Sequence, residues 1–343
     1  MQTDLLIIGA GVAGLACARE MHKAGRPLVV VDKARAVGGR CATRHVDGQP
    51  VDFGVAFLHG SDPSFLRCVT QTAGATLLPD WPTRRAGAGR PCQPDAFAPH
   101  ERRFAIAQGL RAFPEHLASG LDVRLGCRVT SVALVGDHVV ATVEDGTVLS
   151  ARDVVVALSL EQSRELVQPL ATASIEMNAV VRLLRMIASL PCLTLFAGYD
   201  PAVAAPGWDV CYPQDSRSLM LLSHDSTKRA EPRYLSMVLQ ALPKWSHDRL
   251  ESESETWGRE LLAEAAQIVG PWAASPLWTR AHRWRYARVD RGSELAQPVL
   301  VTLDGDCRIG LAGDVFAPGG GIQAAWLSGR RLANRLLGRE EAS

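Results

Sequence analysis

Asp4-Leu5-Leu6-Ile7-Ile8-Gly9-Ala10-Gly11-Val12-Ala13-Gly14 opens the chain, and Val29-Val30-Val31-Asp32 completes the pattern it begins. An apolar run of strand length meets a Gly-x-Gly-x-x-Gly turn. A helical stretch follows as far as Gly25, and a second β-branched run ends in an acid. Each part has a task in holding a dinucleotide. Gly9 allows the tight turn, Gly11 lets the backbone approach a pyrophosphate, and Gly14 lets the helix pack close to the strand. The free N–H groups at the helix start, at Val12 and Ala13, face the phosphates. Asp32 stands about 18 residues beyond Gly14, close to the roughly 20 expected of a carboxylate that accepts from a ribose hydroxyl. That charge repels a 2′-phosphate, which disfavours NADP. The pattern predicts an α/β dinucleotide-binding unit.

The remaining composition sets broad limits. The chain has 343 residues, 47% hydrophobic and 21% charged, with a formal net charge of +1. That is long enough for about two globular domains. The balanced charge gives no reason to expect nucleic acid or an acidic membrane surface as a partner. No apolar run approaches the roughly 20 residues of a membrane span. The fold begins near residue 4, which leaves no room for a signal peptide ahead of it, so the expected location is cytoplasmic. The eight cysteines are scattered, with no C-x-x-C pair and no histidine at metal spacing, and read as reduced structural thiols.

Beyond Asp32, Lys33 leads to Gly38-Gly39-Arg40, a second close backbone approach with a forked donor suited to phosphate. Residues 65–71 read as a helix and 76–78 as a strand. Residues 79–103 are rich in Pro, Gly and Arg and read as irregular. Ile106, Leu110, Phe113 and Leu117 have helical spacing, with Pro114 as a start or a kink. Alternating runs at 121–125, 127–133, 138–143 and 148–150 predict a meander, and 153–158 a buried parallel strand. Ala179–Ile187 and Tyr234–Ala241 read as strands, and Glu253–Val269 as a helix. Trp208, Trp245, Trp257, Trp272, Trp278 and Trp284 all fall between 161 and 295, and flat apolar walls suit a planar substrate. Between 281 and 287, alternation puts His282, Trp284 and Tyr286 on one face and arginines on the other. Near the end, Arg308 to Asp314 is a short strand ending in Gly313-Asp314. Gly319-Gly320-Gly321-Ile322 then opens a helix to Leu337.

These motifs together resemble the flavin-dependent amine oxidases and their relatives. Arg40-Cys41-Ala42-Thr43-Arg44, then Asp52-Phe53-Gly54-Val55-Ala56, is similar to the renalase-like branch, as is Ala281-His282-Arg283-Trp284-Arg285-Tyr286-Ala287. Phe57-Leu58-His59-Gly60 looks more like the W-I-H-G segment of polyamine oxidases. The resemblance implies a Rossmann-like, glutathione-reductase-type FAD-binding domain with a discontinuous, sheet-based substrate domain. The first is expected over 1–78, 105–160 and 296–343, the second over 79–104 and 161–295. It implies non-covalent FAD held by Gly9, Gly11, Val12, Ala13, Gly14, Asp32, Lys33, Gly39 and Arg40. Gly54, Val55 and Ala56 would lie beside the isoalloxazine, and the backbone of Val129 would clasp the adenine. Asp314 would accept from the ribityl or pyrophosphate-linked part. Gly313, Gly321 and Ile322 belong to the closing flavin motif, whose N–H groups face the N1–C2=O edge. His59 reads either as a hydrogen-bonded turn residue or as a group near the flavin that supplies a proton or positive charge.

The expected reaction is hydride transfer from a small-molecule substrate to flavin N5, with O2 or another electron acceptor completing the cycle. The renalase-like resemblance implies misreduced dihydronicotinamides as substrates, and the polyamine oxidase resemblance implies amines. Amine oxidases commonly place a lysine by N5, and only Lys228 and Lys244 lie in the expected substrate domain, neither in a matching motif. A non-redox flavoenzyme such as a sugar mutase, and a nucleotide-holding redox sensor, are the alternatives from other classes.

Overall fold

The computed structural model describes residues 1–339. The chain forms two compact units. The first comprises Met1–Gly39, Phe113–Ser189 and the segment from Arg288 onward, and the second Arg40–Ala112 and Leu190–Ala287.

The first unit is built on an eight-stranded sheet. Its main path runs Val129–Val135, His138–Val143, Val148–Val156, Gln2–Ile8, Leu28–Asp32, Val123–Leu125. Gln2–Ile8 is central and pairs in parallel with Leu28–Asp32 on one side and Val148–Val156 on the other. Leu5, Leu6 and Ile7 are fully buried because helices cover both faces of a parallel sheet, which explains a continuous rather than alternating apolar run. Val148–Val156 is a single strand across both runs read from the sequence. Its first half pairs antiparallel with His138–Val143 and its second half in parallel with Arg308–Leu311. The helix Val12–Lys23 leaves the central strand at its carboxyl end. It stops where Gly25, at φ +74°, donates its N–H to His22.

The second unit carries a six-stranded sheet in the order Trp278–Val289, Ser189–Tyr199, Leu235–Ala241, Leu219–His224, Val210–Cys211, Arg85–Ala86. The hairpin Thr43–Val46 with Gln49–Asp52, and a three-stranded sheet from Leu58–Gly60, Arg102–Ile106 and Leu77–Pro79, complete it. The unit boundaries fall at 39/40, 112/113 and 189/190, not at 78/79, 104/105 and 160/161. Residues 40–78 form sheets of the second unit, whereas residues 161–189 pack into the core of the first.

Two sequence expectations are corrected. Ala179–Ile187 lies not in a strand but mostly in the helix Ile175–Arg185. Ser174 caps it by accepting from the Met177 N–H, and Met177, Val181 and Leu184 supply the buried stripe. The helical spacing that starts at Ile106 is also misleading. Arg102–Ile106 is a strand, Gly109 turns at φ +103°, and the Leu110 N–H is taken by Asp52 Oδ1 at 2.8 Å. The helix starts only at Ala112, with Pro114 tolerated in its first turn. Within 79–103, Arg85–Ala86 pairs in parallel with Val210–Cys211.

Candidate functional site

The glycine turn of the first unit is shaped by what a side chain would strike. At Gly9, φ is +115°, and an added Cβ would stand 2.4 Å from the Ala157 carbonyl oxygen. At Gly14 it would stand 2.0 Å from the Gly9 oxygen and 3.2 Å from the Ala157 Cβ. Gly11 differs, since an added Cβ meets nothing within 4 Å. Gly9 and Gly14 therefore serve packing, while Gly11 faces open space at the helix start. Val12 and Ala13 follow there with buried side chains. Gly38 donates to the Ala10 carbonyl at 2.8 Å, and Gly39, at φ +54°, comes within 3.6 Å of the Gly11 Cα. The two glycine motifs therefore meet.

The closing motif reaches the same place. Gly313 lies 3.7 Å from the Leu158 oxygen, measured from an added Cβ, so Gly9 and Gly313 flank one dipeptide, Ala157-Leu158. The Gly313 N–H donates to Ser328 Oγ at 3.1 Å, and Asp314 opens the short turn Asp314–Phe316. Gly319, Gly320 and Gly321 all adopt left-handed φ, from +61° to +85°, before Ile322 enters the helix Gly321–Leu336. That helix crosses Val12–Lys23 at Gly329, where a Cβ would stand 2.0 Å from the Ala13 oxygen. Neither helix has a side-chain cap or an acid in its first turn. Their first N–H groups, with the positive end of each dipole, are left for an anion or a carbonyl edge.

Asp32 sits where the carboxyl end of its strand meets a cavity of about 270 Å³, also lined by Lys33, Arg128, Val129, Gln162 and Glu165. Its carboxylate accepts from the Ala10 N–H and the Ala34 N–H, each at 2.7 Å. Those bonds use two of about four acceptor positions and leave the others for ribose hydroxyls. Burial, then the charge of Arg128, lowers the Lys33 ammonium below its usual value, and Asp32 opposes the shift. Val129 begins its strand beside an irregularity in pairing. The open backbone at Gly11, the two uncapped helix starts and the acid-lined cavity fit the FAD implied by the sequence.

In the second unit, Arg40 Nη1 donates to the Ala287 oxygen at 3.0 Å. The Arg40 oxygen accepts from the Val55 N–H at 2.9 Å, and Gly54 packs so closely on that oxygen that a Cβ would stand 2.0 Å away. Arg40, Gly54 and Val55 are thus together, with Ala56 buried next in line. His59 Nδ1 lies 2.8 Å from Glu101 Oε2. Burial raises the Glu101 carboxyl. Hydrogen bonds from His59 and Ser61 and the charges of His59 and His100 outweigh it and hold the group below its usual value.

An aromatic cluster in this unit is the feature least visible in sequence. Phe53 stacks on Phe196 with centroids 5.1 Å apart and on Trp284 at 5.7 Å, and His282 meets its edge at 5.1 Å. Arg44 sets its guanidinium 5.5 Å from the Phe53 centroid and 5.9 Å from that of Phe196. Burial, then the Arg44 charge, pushes the His282 imidazole down to about 4, so it is neutral at pH 7. Alternation along Trp278–Val289 was the available signal for His282 and Trp284, and the Arg40–Arg44 segment contained Arg44 without pointing to this role; nothing marked Phe196. Of the six tryptophans, Trp278 and Trp284 pack against this cluster, whereas Trp208, Trp245, Trp257 and Trp272 belong to another core of the unit.

Lys228 is fully buried and paired with Asp52 Oδ2 at 3.0 Å and Asp225 Oδ1 at 2.7 Å, with the Trp81 ring at 4.5 Å. Lys244 is exposed. None of the eight cysteines forms a disulfide. Burial pushes the Cys41 thiol, next to Arg40, up to about 12, which leaves it unreactive. No described helix is long and apolar enough to cross a membrane.

Residues 71–337 match the family model for flavin containing amine oxidoreductase, and residues 7–71 match that for an NAD(P)-binding Rossmann-like domain. Probable polyamine oxidase 4 of Arabidopsis thaliana is 37% identical over 78 residues, 22% of this chain and 16% of that protein. The chain spans under a fifth of the length of the curated relatives it matches first. Putrescine oxidase bound to putrescine superposes with a TM-score of 0.72 at 15% identity, over 99% of this chain and 100% of the other. Cyclohexylamine oxidase from Brevibacterium oxydans gives 0.73 at 14%, over 98% and 100%. These likenesses establish the α/β fold, with its Rossmann-like cofactor domain and sheet-based second domain.

Proposed function

The chain belongs to the flavin containing amine oxidoreductase family, and we propose that it is an FAD-dependent oxidase acting on a carbon bonded to nitrogen, with a dihydronicotinamide-type ring as substrate and O2 as acceptor. Bound FAD supplies the redox chemistry as a hydride acceptor; the chain supplies binding, orientation and electrostatics. Gly11, Val12, Ala13 and Gly39 hold the pyrophosphate, Asp32 the ribose, Val129 the adenine, and Gly313, Asp314, Gly321 and Ile322 the flavin end. Arg40 orders the Gly54–Ala56 turn of the second unit. His59, oriented by Glu101 through Nδ1, leaves Nε2 for a proton-transfer partner.

The observation that favours a dihydronicotinamide is the cluster of Phe53, Trp284 and neutral His282 with Arg44 against it. Such faces attract a cation, and here the chain already provides one. A cationic amine meets repulsion there, whereas a planar, phosphate-bearing molecule is attracted. Lys228, bound to two carboxylates in the core, is not available in the way that amine oxidases use a lysine.

A second reading, an amine or polyamine oxidase, draws on the polyamine oxidase relative and on the fold shared with putrescine and cyclohexylamine oxidases. Anaerobic mixing of the flavin-loaded protein with dihydronicotinamide isomers and, separately, with putrescine, spermine and cyclohexylamine decides between them. Bleaching of the flavin band by a dihydronicotinamide, reversed by air, is expected. Bleaching by the amines alone replaces the first reading with the second.

A further inference from the structure

The Pro-, Gly- and Arg-rich stretch 79–103 of the second unit carries two arginine pairs that the roles above leave unused. In each pair the first member meets an acid. Arg84 Nη2 lies 2.9 Å from Asp209 Oδ1, and Arg102 Nε lies 3.7 Å from Asp80 Oδ1. Successive residues of an extended chain face opposite sides, so Arg85 and Arg103 turn the other way. Both reach the Phe97 ring, with guanidinium carbons 4.7 and 5.2 Å from its centroid. Among the described residues, neither forms an ion pair with a carboxylate. Arg103 is anchored by donating from Nη1 to the Ala96 oxygen at 3.1 Å, while its Nε is buried with no hydrogen-bond partner. The Tyr212 ring stands nearly perpendicular to Phe97, with centroids 6.1 Å apart. Tyr212 is 1% exposed, and its hydroxyl is likewise buried with no partner. Burial, then the charge of a Cys92 thiolate, raises the Tyr212 phenol above its usual value, and Arg85 and Arg103 oppose the shift. The phenol therefore keeps its proton at pH 7 and has it to donate.

We propose that Arg85, Arg103 and Tyr212 form an oxyanion site that takes a phosphate group between the two guanidinium groups and the phenol O–H. Two unneutralised cations beside a buried hydroxyl that donates to nothing are an arrangement an oxyanion completes. It offsets both charges and accepts from the phenol and from Arg103 Nε. The site borders the group expected to move a proton. Arg103 stands opposite His59 in the antiparallel pair of Leu58–Gly60 with Arg102–Ile106, so their side chains leave the sheet on one face. Phe57 touches both neighbourhoods, 6.1 Å from the His59 ring and 6.0 Å from the Phe97 ring. A phosphate held there would anchor a phosphate-bearing substrate beside His59. That last step rests on the dihydronicotinamide reading; the oxyanion site itself does not.

The test titrates the flavin-loaded protein, whose cofactor phosphate seat is already filled, with inorganic phosphate at constant ionic strength. The melting temperature is followed, and a saturable rise is expected in the wild type. Tyr212→Phe removes the unmet hydroxyl, so without phosphate it should melt at or above the wild type. It should bind phosphate about 10-fold more weakly, so the order of melting reverses as phosphate is added. Arg85→Gln, at an exposed position, should weaken phosphate binding by about 10-fold or more. No rise in the wild type, or the same rise in both variants, overturns the proposal. A second arm identifies the source of the phosphate by comparing KM for a dihydronicotinamide mononucleotide and for its phosphate-free riboside. A preference for the mononucleotide that collapses in Arg85→Gln supports the substrate's own phosphate as occupant. A phosphate-dependent rise in melting with no such collapse supports the site with a free anion in it. The melts need no turnover, so a protein that oxidises no dihydronicotinamide overturns the substrate reading and leaves the oxyanion site to be judged by the melts alone.

Discussion

Glu101 Oε2 lies 2.8 Å from His59 Nδ1, and the pair joins the strand Leu58–Gly60 to a loop 42 residues further along the chain. The contact fixes the imidazole with Nδ1 as its donor and leaves Nε2 for other chemistry. If His59 acts on the reaction, His59→Ala slows flavin reduction or reoxidation while the flavin spectrum stays nearly intact. Glu101→Gln keeps a hydrogen bond but loses the charge, so the pH profile of that rate moves. Stopped-flow measurement of both half-reactions checks this, and unaltered rates in each return His59 to a structural role. The stability effect has a definite sign. The Glu101 carboxyl is held below its unfolded value, so its contribution is present above that value and is lost as pH falls through the folded one. Glu101→Gln should cost about 1 kcal/mol at neutral pH, and the difference from wild type should vanish in acid.

Lys228, Arg229, Asp52 and Asp225 form a buried charge cluster. Burial raises the Asp52 carboxyl, but the charges of Lys228 and Arg229, the Thr43 hydroxyl and the Leu110 N–H hold it well below the usual range. Removing one cation leaves a buried carboxylate underpaired. Lys228→Met should therefore cost about 3–5 kcal/mol, and adding Asp225→Asn should restore part of it. Thermal melts of the single and double variants measure both. A single variant that melts as the wild type contradicts the pairing.

The dinucleotide turn was legible because local geometry demands its residues one by one. Gly9 needs positive φ, Gly14 has no room for a Cβ against the Gly9 oxygen, and Gly25 ends a helix. Each requirement acts over a few residues and leaves its mark in the sequence. The helix Ile175–Arg185 was misread because the apolar run from Ala179 to Ile187 outweighed a 177, 181, 184 spacing and the Ser174 cap. The site in the second unit was less legible for another reason. Asp52 meets Lys228 across 176 residues, and Phe53 meets Phe196 and His282 only after the sheet has formed. No local period announces such contacts.

The proposed ribose contact gives Asp32 a second role beside its two backbone contacts, so its removal should register twice. Asp32→Ala would delete the proposed ribose acceptor and should weaken FAD binding by about 10-fold, in line with a charged hydrogen bond. It also leaves the Ala10 and Ala34 N–H groups without their acceptor, which should lower the stability of the apo-protein by about 1 kcal/mol. Asp32→Asn, which keeps one oxygen, should fall between on both measures. Flavin content after dialysis and the melting of apo-protein check the two arms separately. Unchanged flavin occupancy in Asp32→Ala counts against the ribose contact.

The proposed chemistry depends on a pyrophosphate seated over Gly11, and that position separates binding from folding. A Cβ at Gly11 meets nothing in the protein within 4 Å, whereas one at Gly14 or Gly329 strikes backbone at 2.0 Å. The decisive measurement is FAD titration of apo Gly11→Ala, with its melting temperature recorded beside that of the wild type. The account predicts an unchanged apo melting temperature and FAD affinity reduced by about 10-fold or more, since the methyl group occupies the space the phosphates need. Wild-type FAD affinity in that variant would contradict it.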